Sequence, residues 1–168
     1  MRKKYEIYNI YGNNASELEA SFDSQRPEEL TEKKFDALTN WDYDLSYNKR
    51  NCEIVTFTLD VTFKLPKIDT STLSNDLKNE VHNYTSKLYE HEQKHCAIVA
   101  QCLHNIYKTI QEGQKGNCQN YIKKINDLRG KVQETNDLFD KNSEHGLVNY
   151  NLKNKDYLEM CRISIPDK

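Results

Sequence analysis

Nowhere in this chain does an apolar run approach the 18 residues that a membrane-spanning helix requires, so no membrane span is expected. No basic block is long enough to follow a phosphate backbone. The 24 lysines and arginines are interspersed with 26 acidic residues, for a net charge of −2, which argues against nucleic acid as a partner. The five cysteines, Cys52, Cys96, Cys102, Cys118 and Cys161, contain no Cys-x-x-Cys pair, and this excludes a zinc ribbon. Their odd number leaves at least one unpaired if any bridge forms. Met1-Arg2-Lys3-Lys4 carries the charge of a signal peptide, but Tyr5–Asn14 supplies no continuous apolar run behind it. The expectation is thus either a cytoplasmic protein or an exported one whose signal has been removed.

What is present is a polar but foldable composition: 36% hydrophobic, 30% charged, and tyrosine the leading aromatic with 11 residues. A chain of 168 residues is expected to form a single domain over 1–168.

The strongest local pattern is Tyr89–Val99, with His91-Glu92-Gln93-Lys94-His95 at its centre. Two histidines four apart on a helix project from one face, one turn above the other, so both imidazoles can reach one zinc ion. A glutamate directly after the first histidine then sits beside the open coordination position, where it can deprotonate a metal-bound water. The alternative is a pair of core or solvent-facing histidines without a metal.

Around this motif the periodicities are clear. Tyr5–Gly12 reads as a strand ending in a turn, and Ser16–Phe22 as a short helix with Asn14 as its N-cap. Glu28–Lys34 reads as a loop or a weak helical turn. Trp41, Tyr43, Leu45 and Tyr47, then Val55, Phe57, Leu59, Val61, Phe63 and Leu65, alternate with polar residues across the turn-forming Asn48–Asn51. That is an antiparallel hairpin with one apolar face, closed by Pro66. A long helix from about Ser71 to Glu112 covers it, with an apolar stripe through Leu73, Leu77, Val81, Tyr84, Leu88, His91, His95, Ile98, Cys102 and Ile106. His82 and His104 fall off the stripe and read as surface residues.

Gly113–Asn117 is expected to break that helix, and a second amphipathic helix follows with Cys118, Tyr121, Ile125, Leu128, Val132, Thr135 and Phe139 on one face. The short connection makes the two helices antiparallel neighbours. The helix runs about 27 Å from His95 to the turn, so the returning helix draws level with the histidines near residues 135–140. A catalytic zinc needs a third protein ligand. His145 is the first candidate, Asp140 the second, as a ligand or as the carboxylate that orients one, and Glu134 and Asp137 are weaker. Leu147–Lys168 adds an edge strand or wraps the helices; Tyr150 is a candidate to steady an oxyanion, against the simpler role of a packing tyrosine. The fold class expected is α+β: an antiparallel sheet with two long antiparallel helices packed on one face, the metal helix resembling that of zincins.

The residues also resemble a bacterial domain-of-unknown-function family of predicted secreted zinc-dependent proteases. The resemblance spans about Tyr5 to Gly146. It rests on the early tyrosine-containing strand, Trp41 opening a strand, Cys52, Leu65-Pro66, the His91–His95 motif, Cys118, and Asp140 followed by Ser143-Glu144-His145-Gly146. Phe139 stands where that family usually has Tyr, and Ser143 where it usually has Thr. The resemblance implies export to the periplasm or beyond, and it makes Cys52–Cys118 the expected disulfide.

The function expected is zinc-dependent hydrolysis of a peptide bond, with Zn2+ held by His91, His95 and His145 and with Glu92 as general base. The expected partner is a protein or peptide substrate, and the expected state a monomer. The rivals are a non-catalytic zinc-stabilised binding module, a cell-wall amidase using the same site, and a metal-free helical-hairpin interaction protein. Glu92 favours an enzyme, because a structural metal site has no use for a general base.

Overall fold

The computed structural model describes residues 1–143 and 155–165. The alternating segments form the expected antiparallel hairpin, β2 (Leu38–Tyr47) with β3 (Ile54–Ile68), in a register that pairs Trp41 with Val61 and Leu45 with Phe57. Period two puts Leu45, Leu59, Val61, Phe63 and Leu65 on one buried face. The first strand, β1 (Arg2–Ile10), joins the other side of β3 in parallel, from Arg2 beside Asp60 to Ile10 beside Ile68. The sheet is therefore mixed, in the order β1-β3-β2. A parallel pair needs a long crossover, and the chain between β1 and β3 supplies one.

Pro66 does not end β3, contrary to expectation. The pairing with β2 stops at Lys64, so the strand is paired only with β1 where Pro66 falls, and a residue without an N–H is tolerated there.

Helix α1 (Ala15–Gln25) starts on Asn14, whose side chain accepts from the Glu17 amide at 3.0 Å, while Glu17 accepts from the Asn13 amide at 2.8 Å. Glu28–Lys33 is a short helix, α2. Leu18 of α1 and Leu30 of α2 form a smaller core with Tyr8, Ile10, Leu73 and Val81. Below it, Asp36 is held by Arg26 at 2.5 Å and by the Tyr84 hydroxyl at 2.5 Å, and its carbonyl accepts from Tyr8 at 2.6 Å. These bonds fix the approach of the chain into β2.

The long helix α3 (Asn75–Lys115) is capped by Ser74. In its first half only one side is covered: Tyr84 stays 38% exposed, while its ring meets Phe22 edge-on and its hydroxyl donates to Asp36. From His91 to Ala100 nearly every residue is buried, because the sheet, α4 (Ile122–Ser143) and α5 (Lys155–Met160) surround the helix there. Just before that stretch the Tyr89 hydroxyl donates to the Pro66 carbonyl and ties α3 to β3.

The expected break at Gly113 lies inside α3, which runs on to Lys115. Glycine is needed there for another reason: a Cβ at Gly113 would lie 2.7 Å from the Cys52 sulfur. Cys52 is bridged to Cys118, the pair the family resemblance implies. A second bridge, Cys96–Cys161, goes beyond what the sequence suggests; it fastens the C-terminal segment to α3, where Leu158 O accepts from Gln93 at 2.8 Å. Cys102 is the free cysteine. The described C-terminal residues, 155–165, pack on α3 and reach β1 through Lys3 and Tyr5, and they add no strand. His82 is exposed as expected, whereas His104 is half-buried against Tyr107 and Tyr157. Among the described residues, no helix is long and apolar enough to cross a membrane.

Candidate metal centre

After one short 3-10 turn (Cys118–Asn120), α4 returns antiparallel to α3 with Ile125, Val132, Asn136, Phe139 and Ser143 on its buried stripe. It draws level with the histidines within the expected interval. Asp140 Oδ1 lies 3.1 Å from His91 Nε2 and 2.9 Å from His95 Nε2, and the two Nε2 atoms are 3.1 Å apart. Three donor atoms therefore form a nearly equilateral triangle.

Protons alone do not satisfy this triangle. With Asp140 ionised, two protonated Nε2 atoms set their N–H groups against each other, and an Nε2 without a proton can accept from the other ring but sets its lone pair against the carboxylate. A cation resolves all three contacts together. Ligand atoms about 2 Å from a tetrahedral ion stand about 3.3 Å apart, close to the spacings seen. His91, His95 and Asp140 can thus hold a metal ion. Of the other candidates, Glu134 is exposed and Asp137 accepts from Gln133 on the rim. His145 and Tyr150 lie outside the described residues.

Phe139 packs against both imidazole rings, stacked on His91 at 4.9 Å and edge-on to His95 at 4.8 Å. The apolar ring limits how far either imidazole can tilt. Asn136, one turn before Asp140, accepts from His95 Nδ1 at 3.0 Å.

Glu92 is only 4% exposed, and its Oε2 accepts from the Thr39 hydroxyl at 2.7 Å. Burial pushes the Glu92 carboxyl up, opposed by His95, Thr39 and His91. Asp140 is held well below the usual carboxylate range: its burial works upward, but the hydrogen bonds and charges of His91 and His95 outweigh it. For His95, burial works downward, and Asp140 with Glu92 and Asn136 outweighs it, so the net shift is upward.

All four residues line one cavity of about 880 Å³, walled on the other side by Phe35, Ala37, Leu38, Thr39 and Trp41. The sheet edge formed by β2 flanks it, and among the described residues no strand pairs with that edge.

Thr39 and Asn136 escape a reading of the sequence for different reasons. Asn136 carries a signal: it sits between Val132 and Phe139 at helical spacing, a polar residue on a buried stripe that must have a partner. Thr39 precedes the alternation that marks β2, and nothing in its neighbours distinguishes it.

No curated protein and no solved structure matches the chain. One family model does, over residues 5–146, the greater part of the molecule. The chain belongs to the family described as bacterial protein of unknown function, DUF922.

Proposed function

We propose that this protein is a zinc-dependent metallopeptidase. The observation that carries the proposal is the convergence of three ligand atoms from His91, His95 and Asp140 on the cavity that also holds the buried Glu92 carboxylate. Two imidazoles and one carboxylate are a donor set that suits zinc, and three protein ligands leave a position for water or substrate. Zinc bound there would supply Lewis acidity, lowering the pKa of a coordinated water towards about 7 and polarising a carbonyl.

The chain's own residues divide the remaining work. Glu92 takes a proton from the attacking water and returns it to the leaving nitrogen. The Thr39 hydroxyl occupies Oε2, which leaves the other carboxylate oxygen to carry that proton. The edge of β2 beside the cavity, with which no described strand pairs, suits an extended peptide, which can add to it as a further strand. Two buried disulfides support export to an oxidising compartment, secreted or periplasmic.

The test is elemental analysis of protein purified without a histidine tag, alongside hydrolysis of an unstructured protein substrate. His91→Ala is expected to lose zinc and activity, and Glu92→Ala to keep zinc and lose activity. Equal zinc in wild type and His91→Ala would sink the metal site. Equal hydrolysis in wild type and Glu92→Ala would leave a metal-binding module in place of an enzyme.

A further inference from the structure

We infer that Asn136 is the positioning residue that sets the tautomer of His95 and so turns its Nε2 lone pair towards the metal position; the inference rests on the metal-centre reading above. Asn136 is 3% exposed and lies on α4, facing α3. Its amide nitrogen donates to the Val132 carbonyl one turn back, at 3.1 Å. That bond fixes which way the amide points: reversed, it would set its own carbonyl against that of Val132. The amide oxygen is therefore the atom 3.0 Å from His95 Nδ1.

An amide oxygen only accepts, so the proton of that hydrogen bond belongs to His95 Nδ1. In the neutral ring, Nε2 is then left with its lone pair, 3.1 Å from His91 Nε2 and 2.9 Å from Asp140 Oδ1. Packing does not make this choice. Phe139 and His91 meet the His95 ring edge-on, at 81° and 88°, and so hold its plane without distinguishing its two nitrogens. Asn136 supplies the distinction. A hydrogen bond of this kind also raises the basicity of the ligating nitrogen, and loss of such a partner weakens metal binding by about 10- to 100-fold.

Zinc affinity of the untagged, full-length chain is measured by competition with a chromophoric chelator. Asn136→Leu is expected to bind zinc about 10- to 100-fold more weakly. Asn136→Asp, whose carboxylate accepts the same N–H but sets its second oxygen against the Val132 carbonyl, is expected to bind more tightly than Asn136→Leu and less tightly than wild type. In zinc-loaded protein labelled with 15N-histidine, a ring N–H signal at His95 Nδ1 is expected in wild type and Asn136→Asp, and is shifted or lost in Asn136→Leu. Wild-type affinity in Asn136→Leu, or an unchanged His95 Nδ1–H signal in Asn136→Leu, overturns the inference. The same label in metal-free protein at alkaline pH separates the tautomer from the metal site. A proton on Nε2 there overturns the role of Asn136 whatever zinc does. A proton on Nδ1 in a chain with no zinc affinity overturns the metal-centre reading alone.

Discussion

Thr39 and Glu92 join the sheet edge to α3: the Thr39 hydroxyl stands 2.7 Å from Glu92 Oε2 and 3.0 Å from the Glu92 carbonyl. Its single O–H proton favours the closer oxygen, Oε2, and so holds the carboxylate of the proposed base. Thr39→Val keeps the shape and removes the donor. It leaves a buried acceptor unpaired, which costs about 1–3 kcal/mol of stability. Zinc content is expected to stay at the wild-type level while kcat falls about tenfold or more, since proton transfer depends on how the carboxylate is held. Thr39→Ser should restore most of the loss. Thermal melts, metal analysis and steady-state kinetics on the three proteins check this, and unchanged kcat in Thr39→Val refutes it.

Among the described residues, Asp140 would complete a set of three protein ligands with His91 and His95, the number a catalytic zinc uses. Removing it leaves two imidazoles with no neutralising charge. Asp140→Ala is expected to lose most of its zinc on dialysis, whereas Asp140→His keeps three ligating groups and retains more. His145→Ala, measured beside them, is expected to retain zinc. Zinc lost from His145→Ala but kept in Asp140→Ala would give the third position to the histidine.

Protons and metal compete for these atoms, and the competition has a sign. His95 is raised above its ordinary value in the metal-free chain, against its burial, chiefly by Asp140. Its ion pair stabilises the metal-free fold fully below about pH 6.5 and is lost as pH rises through the folded-state value. Asp140 is lowered, so its share persists above about pH 4 and is lost only in stronger acid. Metal ligands must instead be deprotonated. The rise in Tm on adding zinc is therefore expected to be larger near pH 8 than near pH 6. Metal-free wild type should also lose part of its advantage over metal-free Asp140→Asn between those pH values. Zinc stabilisation that grows on acidification would contradict the assignment.

Much of this arrangement is legible in the sequence because it depends on local periodicity. The alternation from Trp41 to Leu65 gives the hairpin, and threes and fours along α3 carry His91 and His95 into the buried stripe. Even the level at which α4 meets them follows from rise per residue, and it brings Asp140 within 3.1 Å of both rings. What escapes depends on pairings that no local pattern records. β1 could lie on either side of the hairpin, and only the completed crossover makes it parallel to β3. Cys96 could bridge several partners, and only the folding of α5 against α3 selects Cys161.

Gly113 looks like a helix breaker in the sequence, yet it lies in the last turns of α3 with Tyr121 on one side and the Cys52 sulfur on the other. A methyl group built there approaches that sulfur to 2.7 Å, closer than van der Waals contact permits. Cys52 has little freedom to retreat, since it is fully buried and its amide donates to the Asn48 carbonyl at 2.7 Å. Helix propensity alone would make Gly113→Ala stabilising by about 0.5–1 kcal/mol. The clash should reverse that sign, because overpacking of this kind costs about 1–3 kcal/mol. Gly113→Ala is therefore expected to melt below wild type in the oxidised protein. In a Cys52→Ser, Cys118→Ser background the same substitution should recover part of the deficit, because an untethered hydroxyl at position 52 is smaller than the sulfur and can rotate away from the methyl. That background itself should be less stable by up to about 4 kcal/mol, from reopening a loop closed across a sequence separation of 66. Equal effects of Gly113→Ala in both backgrounds would show that the glycine serves the helix and not the disulfide.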